Sequence, residues 1–108
     1  MNLVSKKCLP CKDNVSPIQG GDIPTYLEQL TLDWQVIAGK KIQHEFSYKD
    51  FNEAMKFVNR VAKIAAAEGH HPDIFIHYNK VTIELFTHAI DGLSENDFIV
   101  AAKIEKLI

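Results

Sequence analysis

The most regular pattern of apolar positions lies between residues 51 and 65, where hydrophobic side chains recur at every third or fourth residue. This spacing places them on one face of an α-helix. Gly69 is of the type that commonly ends a helix, and Pro72 prevents its continuation. The pattern therefore predicts a long amphipathic helix that ends just before His70 and His71.

Alternating apolar and polar residues on both sides of this helix predict two β-hairpins. The first covers residues 34–48 and turns near residues 38–41, and the second covers residues 72–88 with Asn79-Lys80 as its two-residue turn. Shorter helical patterns precede the first hairpin and follow the second. The order α-β-β-α-β-β-α predicts an α+β fold, a four-stranded antiparallel sheet with helices packed on one face.

The second hairpin is expected to bring histidines together at one end of the sheet. With the turn at Asn79-Lys80, continued strand pairing places His88 level with His71, which directly follows His70. Such a cluster is typical of a metal site, of side chains that satisfy carbonyl groups at a helix end, or of acid–base chemistry. Metal is less favoured, because consecutive histidines are awkward as paired ligands and no carboxylate stands at a recognised metal spacing. The structural and the acid–base interpretations both stay open.

The overall composition narrows the class of protein. The chain has 108 residues, 46% of them hydrophobic and 24% charged, as in an ordinary globular domain. A net charge of -2 gives no indication of nucleic-acid binding. No stretch has the length of a membrane span, and no apolar signal-peptide segment is present. We therefore expect a cytoplasmic protein with a single domain over residues 22–108.

Residues 1–21 lack apolar periodicity and mix Lys, Pro, Gly and Ser, so we expect a flexible N-terminal extension. Cys8 and Cys11 form a C-x-x-C motif within it. The motif supplies half of a zinc site, and the βαβ context of thioredoxin-like redox motifs is absent from the predicted order. Two incidental thiols are therefore favoured over a metal-binding or redox function shared with the histidines.

Several separated motifs agree in order and spacing with one known family. They are Trp34, "FSYKDFNEAMKFVNRVA", the triplet His70-His71-Pro72, "YNKV", and Thr87-His88. From about Leu30 to Ile108 the chain closely resembles the pterin-4a-carbinolamine dehydratase family. The resemblance implies a hydro-lyase that converts 4a-hydroxytetrahydrobiopterin, or a related 4a-hydroxytetrahydropterin, to quinonoid dihydropterin and water. Such recycling of tetrahydropterin serves aromatic amino-acid hydroxylases, which are the pathway partners that the resemblance implies.

The resemblance also assigns roles to individual residues. It implies acid–base catalysis by His70, His71 and His88. Gly69, Pro72, Phe86, Thr87 and Ala89 are expected to contact the substrate beside them, and Trp34 either walls the site or belongs to the core. Family members use neither a metal nor an organic cofactor, and their subunits associate into homodimers or homotetramers through sheet edges and helices.

Two positions depart from the family pattern. Many relatives have a carboxylate where this chain has Ala66, and some have Asp where Gly69 stands. These departures keep an alternative open, a catalytically weak or inactive family member that acts as a protein-interaction or assembly partner. The presence of all three histidines favours the enzyme.

Overall fold

The structure, a computed structural model, describes residues 2–9 and 16–108. Over these ranges the helices and strands follow the predicted order. They are α1 (Ile23–Leu27), β1 (Gln35–Ile37), β2 (Lys41–Ser47), α2 (Phe51–Glu68), β3 (Asp73–His77), β4 (Lys80–Leu85) and α3 (Glu95–Glu105). Short 3₁₀ turns lie at Leu3–Ser5 and His88–Ile90.

The strands form an antiparallel sheet in the order β1-β2-β4-β3 within the described part of the chain. Alternate side chains of the central strands β2 and β4, among them Ile42 and Ile83, are buried in one core with Phe57 and Val61 of α2 and Phe98 of α3. The intervening positions on these strands carry polar side chains. The predicted α+β fold with helices on one face of the sheet is therefore confirmed.

The predicted turn of the second hairpin is wrong in its position. His77 pairs with Lys80, so the turn consists of Tyr78 and Asn79, and the strand register differs from the predicted one by two residues. Contacts with the end of β2 explain the difference, because the Tyr48 N–H donates to the Asn79 carbonyl and the Asn79 side chain donates to the Tyr48 carbonyl, both at 2.8 Å. A shift of two residues leaves every side chain on its predicted face.

Hydrogen bonds at the two ends of α2 fix where the helix begins and where the chain turns towards His70. The Asp50 side chain accepts from the Glu53 N–H at 2.9 Å and so caps the start of α2. Gly69 takes the left-handed conformation, with φ of 66°, and its N–H donates to the Ala65 carbonyl. This αL cap ends α2 where predicted and directs the chain away at His70.

The described part of the N-terminal extension differs from the loose tail that its composition predicts. Leu3 is buried in the hydrophobic core, and the Leu3–Ser5 turn packs against α3. Farther along, the Cys8 N–H donates to the Glu68 carboxylate at 2.9 Å. Burial of one leucine and hydrogen bonds to two helices fix this segment in place. Cys11 lies outside the described residues.

Glu105, at the end of α3, fastens the loop that leads into the sheet. Its carboxylate accepts from the N–H and hydroxyl of Thr31, from the Leu32 N–H, and from the indole N–H of Trp34 at 2.9 Å. Trp34 itself is buried in the core. A single carboxylate thus satisfies donors that would otherwise be left unpaired near the core.

We expect Glu105→Ala to lower the free energy of unfolding by about 2 kcal/mol, because the indole of the buried Trp34 and the loop donors lose a charged acceptor. Urea unfolding followed by tryptophan fluorescence measures the change. Lys106→Ala, at the exposed neighbouring position, is the control and should leave the midpoint unchanged. Equal midpoints for the two variants would contradict the proposed fastening.

Candidate active site

A cavity of about 540 Å³ lies between the end of α2, the segment after β4 and the start of α3, a volume in the range of small-molecule sites. The three histidines His70, His71 and His88 all line it. So do most of the residues predicted to contact substrate, namely Gly69, Pro72, Phe86, Thr87 and Ala89. The three imidazoles line one cavity, as expected. The strand pairing that was predicted to bring them together is wrong.

The correct register places His71 differently from the prediction. Asp73 pairs with Glu84, so continuation of the ladder brings His71 level with Phe86 rather than with His88. His88 reaches the cavity because the chain leaves the sheet after β4 and turns through the 3₁₀ segment His88–Ile90. An edge contact between the Phe86 and His88 rings, with centroids 4.6 Å apart, accompanies this turn.

Asp97 is the site residue that the sequence did not reveal. Its side chain is fully buried, and its Oδ1 lies 2.6 Å from Nε2 of His70. Oδ2 accepts from the Thr87 hydroxyl at 2.7 Å and from the Ser94 N–H at 2.9 Å. The same carboxylate therefore completes the capping box at the start of α3 and fixes the orientation of a cavity histidine.

This contact determines which nitrogen of His70 carries hydrogen. An ionised carboxylate only accepts hydrogen bonds, so Nε2 of His70 is the donor. In the neutral ring, Nδ1 then keeps its lone pair and can accept a proton. His70 is only 13% exposed, whereas His71 and His88 are exposed to solvent, so the three imidazoles have different surroundings.

Glu68 is another cavity residue outside the predicted set. Its side chain is 5% exposed and forms an ion pair with Lys103 of α3 at 2.6 Å. The hydrogen bonds from Lys103 and from the Cys8 N–H lower the pKa of this carboxyl below its usual value. Glu68 is therefore a charged link between α2, α3 and the N-terminal segment. Ala66, on the last turns of α2, is exposed and does not line the cavity.

Other predicted or candidate residues lie away from the cavity. Trp34, predicted as a wall of the site, is buried in the core with its indole N–H on Glu105, and it is not among the lining residues. His44, a partly exposed histidine of β2, packs against Trp34 and Phe46. His77 is exposed on the edge strand β3.

The thiol of Cys8 lines the same cavity but is poorly suited to redox or metal chemistry. Burial, followed by the negative charge of Glu68, raises the pKa of this thiol to about 12. The thiolate is the nucleophile and the metal ligand, so Cys8 is inert near neutral pH. Within residues 2–9 and 16–108, no group of three or more His, Cys, Asp or Glu side chains could hold a metal ion. No helix in those ranges is long and apolar enough to cross a membrane.

Comparison with known proteins identifies the class of protein that has this fold and cavity. The sequence profile of the family described as "Pterin 4 alpha carbinolamine dehydratase" matches residues 16–107. The chain belongs to this family.

Individual relatives extend the similarity over nearly the whole chain. A protein of Alkaliphilus metalliredigens, provisionally named pterin-4-alpha-carbinolamine dehydratase, is 46% identical over 97% of this chain and 95% of its own. A protein of Nitrosospira multiformis with the same provisional name is 48% identical over 98% of this chain and 92% of its own.

Solved structures share the architecture. The transcriptional coactivator/pterin dehydratase of Brucella melitensis has a TM-score of 0.78 and 31% identity, covering 85% of this chain and 98% of that one. A pterin dehydratase-like RuBisCO assembly factor of the α-carboxysome has a TM-score of 0.61 over 71% of this chain and 90% of its own. At 19% identity the second likeness concerns the fold alone.

We expect Cys8 to be alkylated at pH 8 at least roughly 100-fold more slowly than a free cysteine, because only the thiolate reacts. The rate in a Cys11→Ser variant should keep rising with pH beyond 9, since the raised pKa delays ionisation towards about 12. Iodoacetamide labelling followed by mass spectrometry measures it, with the urea-unfolded variant as control. A plateau near pH 9 in the folded protein would contradict the raised pKa.

We expect the Asp97→Asn variant to lose the single tautomer of His70. In the native protein, long-range ¹H–¹⁵N NMR should show hydrogen on Nε2 of neutral His70, whereas the amide variant should show a mixture. Asp91→Asn provides the control, because the Asp91 side chain is exposed, pairs with Lys40 and does not line the cavity. Unchanged His70 nitrogen shifts in Asp97→Asn would rule out control by the carboxylate.

Proposed function

We propose that this protein dehydrates 4a-hydroxytetrahydrobiopterin, or a related 4a-hydroxytetrahydropterin, to the quinonoid dihydropterin. The observation that carries the proposal is the cavity lined by His70, His71 and His88, with His70 held by a buried carboxylate. Membership of the carbinolamine dehydratase family supports the same substrate class. In this role the protein returns oxidised pterin to the recycling route that serves aromatic amino-acid hydroxylases.

The reaction needs an acid and a base on one bound molecule. The 4a-hydroxyl leaves as water only after it receives a proton, and the N5 lone pair forms the new C4a–N5 double bond as the C–O bond breaks. The N5 proton must then be taken up, so the balance is one proton delivered to oxygen and one removed from nitrogen. Imidazole groups near neutrality can perform both transfers.

The surroundings of the histidines suggest how the roles divide. His70 is the proposed base, because Asp97 holds its Nε2–H and would stabilise the imidazolium formed when Nδ1 takes the proton. His71 and His88 are exposed at the cavity and exchange protons readily with solvent, so the proposed acid is one of these two. Gly69, Pro72, Phe86, Thr87 and Ala89 would shape the pterin pocket around them.

The sheet edge supports self-association of the chain. β3 pairs only with β4 within the described sheet, which leaves its outer edge unpaired, and Phe75 and Ile76 on it are exposed. An apolar edge strand of this kind is a template for pairing with another chain. We accordingly propose that the protein is a homodimer or a homotetramer. An assembly or protein-interaction role is the second candidate function, and this same exposed edge is the observation that favours it.

We expect His70→Ala, His71→Ala and His88→Ala each to lower kcat by a factor of roughly 10² or more, because two of the imidazoles transfer protons and the third positions the substrate against them. The assay follows loss of freshly generated carbinolamine by its ultraviolet absorbance. His77→Ala is the matched control, since His77 is exposed on β3 and does not line the cavity.

The wild-type protein decides between the two candidate functions. Acceleration of dehydration above the buffer rate supports the enzyme. An absence of acceleration by a folded, oligomeric wild-type protein would overturn the enzymatic proposal and favour the interaction role.

A further inference from the structure

We propose that residues 6–9 form a fixed wall of the pterin cavity and that the Leu9 side chain packs against the bound heterocycle. We call residues 6–9 the N-terminal arm. The inference rests on the proposed function. It adds a determinant of substrate affinity that lies outside residues 16–107, the part of the chain that the family profile matches. The juxtaposition that carries it is Cys8 and Leu9 in the same cavity lining as His70, His71 and His88.

The backbone of the arm is held at Leu9 by a side chain of α3. The Leu9 N–H donates to Oδ1 of Asn96 at 3.0 Å, and the Asn96 amide donates to the Leu9 carbonyl at 2.5 Å. Asn96 is itself buried, so this pair of hydrogen bonds is partly shielded from water. A shielded pair of this kind is costly to break, because the amide groups would be left without partners. Leu9 is consequently fixed in position at the cavity.

A second attachment lies one residue earlier. The Cys8 N–H donates to Glu68, which is held on its other oxygen by Lys103 at 2.6 Å. Glu68 is the last residue of α2, immediately before Gly69 and His70. The attachment therefore joins the arm to the helix end that presents a catalytic histidine. Before the arm, burial of Leu3 in the core anchors the chain at a third point.

The side chain of Leu9 is exposed to solvent although its backbone is held in place by hydrogen bonds. The residue is 72% exposed although its N–H and carbonyl are both bound. An apolar side chain fixed at the rim of a cavity gains burial only when something apolar enters that cavity. The flat face of a pterin ring is such a surface, and contact with it would remove the leucine from water.

The sequence before residue 16, which includes the arm, also aligns with a relative although the family profile does not match it. The family profile begins at residue 16, yet a Nitrosomonas eutropha protein aligns over 107 residues and 99% of this chain, which includes the segment before residue 16. A wall built from a segment outside the profile can adjust affinity without any change in the catalytic histidines.

The test compares Leu9→Ala with the native protein in the steady-state dehydration assay. We expect KM to rise roughly 5- to 30-fold, the loss expected when most of a leucine side chain no longer packs on the ligand. We expect kcat to change less than about 2-fold, because Leu9 takes no part in proton transfer. Val4→Ala is the matched control, because Val4 is an exposed apolar residue just before the arm and does not line the cavity.

A binding measurement separates this inference from the proposed function. Isothermal titration with 7,8-dihydrobiopterin, which has no 4a-hydroxyl, should show the same loss of affinity in Leu9→Ala and none in Val4→Ala. Native turnover with equal KM and affinity for Leu9→Ala would overturn the wall alone. If the native protein binds 7,8-dihydrobiopterin but shows no turnover, the dehydratase proposal is overturned. The affinity of Leu9→Ala for this probe then decides whether the wall exists. Absence of both turnover and binding would overturn the two together.

Discussion

The hydrogen bonds around Asp97 tie the formation of the cavity to the folding of the domain. Its carboxylate is fully buried, and a buried charge without donors is strongly destabilising. The donors come from separate places, His70 after α2, Thr87 after β4 and Ser94 at the start of α3. The carboxylate can be accommodated only when these segments meet. The geometry of the site is therefore a condition of stable packing and does not depend on the substrate for its assembly.

The architecture was predictable because apolar residues recur at the regular spacing of a helix or a strand within short stretches of the sequence. The helical spacing of residues 51–65, the alternating segments and the glycine at the end of α2 are visible in short windows of sequence, and each corresponds to an element of the fold. The hairpin register was not predictable in the same way. It depends on hydrogen bonds between Asn79 and Tyr48, which are 31 residues apart, and no local pattern reports them. The error of two residues preserved the faces of the strands, although Ile76 on the edge strand β3 is exposed rather than buried.

The same distinction explains which site residues were found. His70 and His71 stand next to a proline at a helix end, and His88 follows a strand that had to return towards them, so their convergence could be anticipated. Asp97 was missed because its spacing from Ser94 is fully explained by a capping box. A usable signal was present nearby, since residues 98–102 are apolar without interruption and indicate a helix buried on all sides. An acid in the first turn of such a helix must find buried partners. Contacts of Cys8 and Leu9 with α3 cross almost 90 positions and had no sequence signal.

Function in this family has to be argued from the cavity, because the fold alone serves different roles. A RuBisCO assembly factor shares the architecture at 19% identity. A scaffold of this kind needs Asp97 for packing, since its carboxylate accepts from Thr87 and Ser94, but it has no need for an imidazole as the remaining donor. Nor do His71 and His88 contribute to the core, because both are exposed. The imidazoles that packing alone does not require thus line one cavity, and we propose that their task is proton transfer to a bound heterocycle.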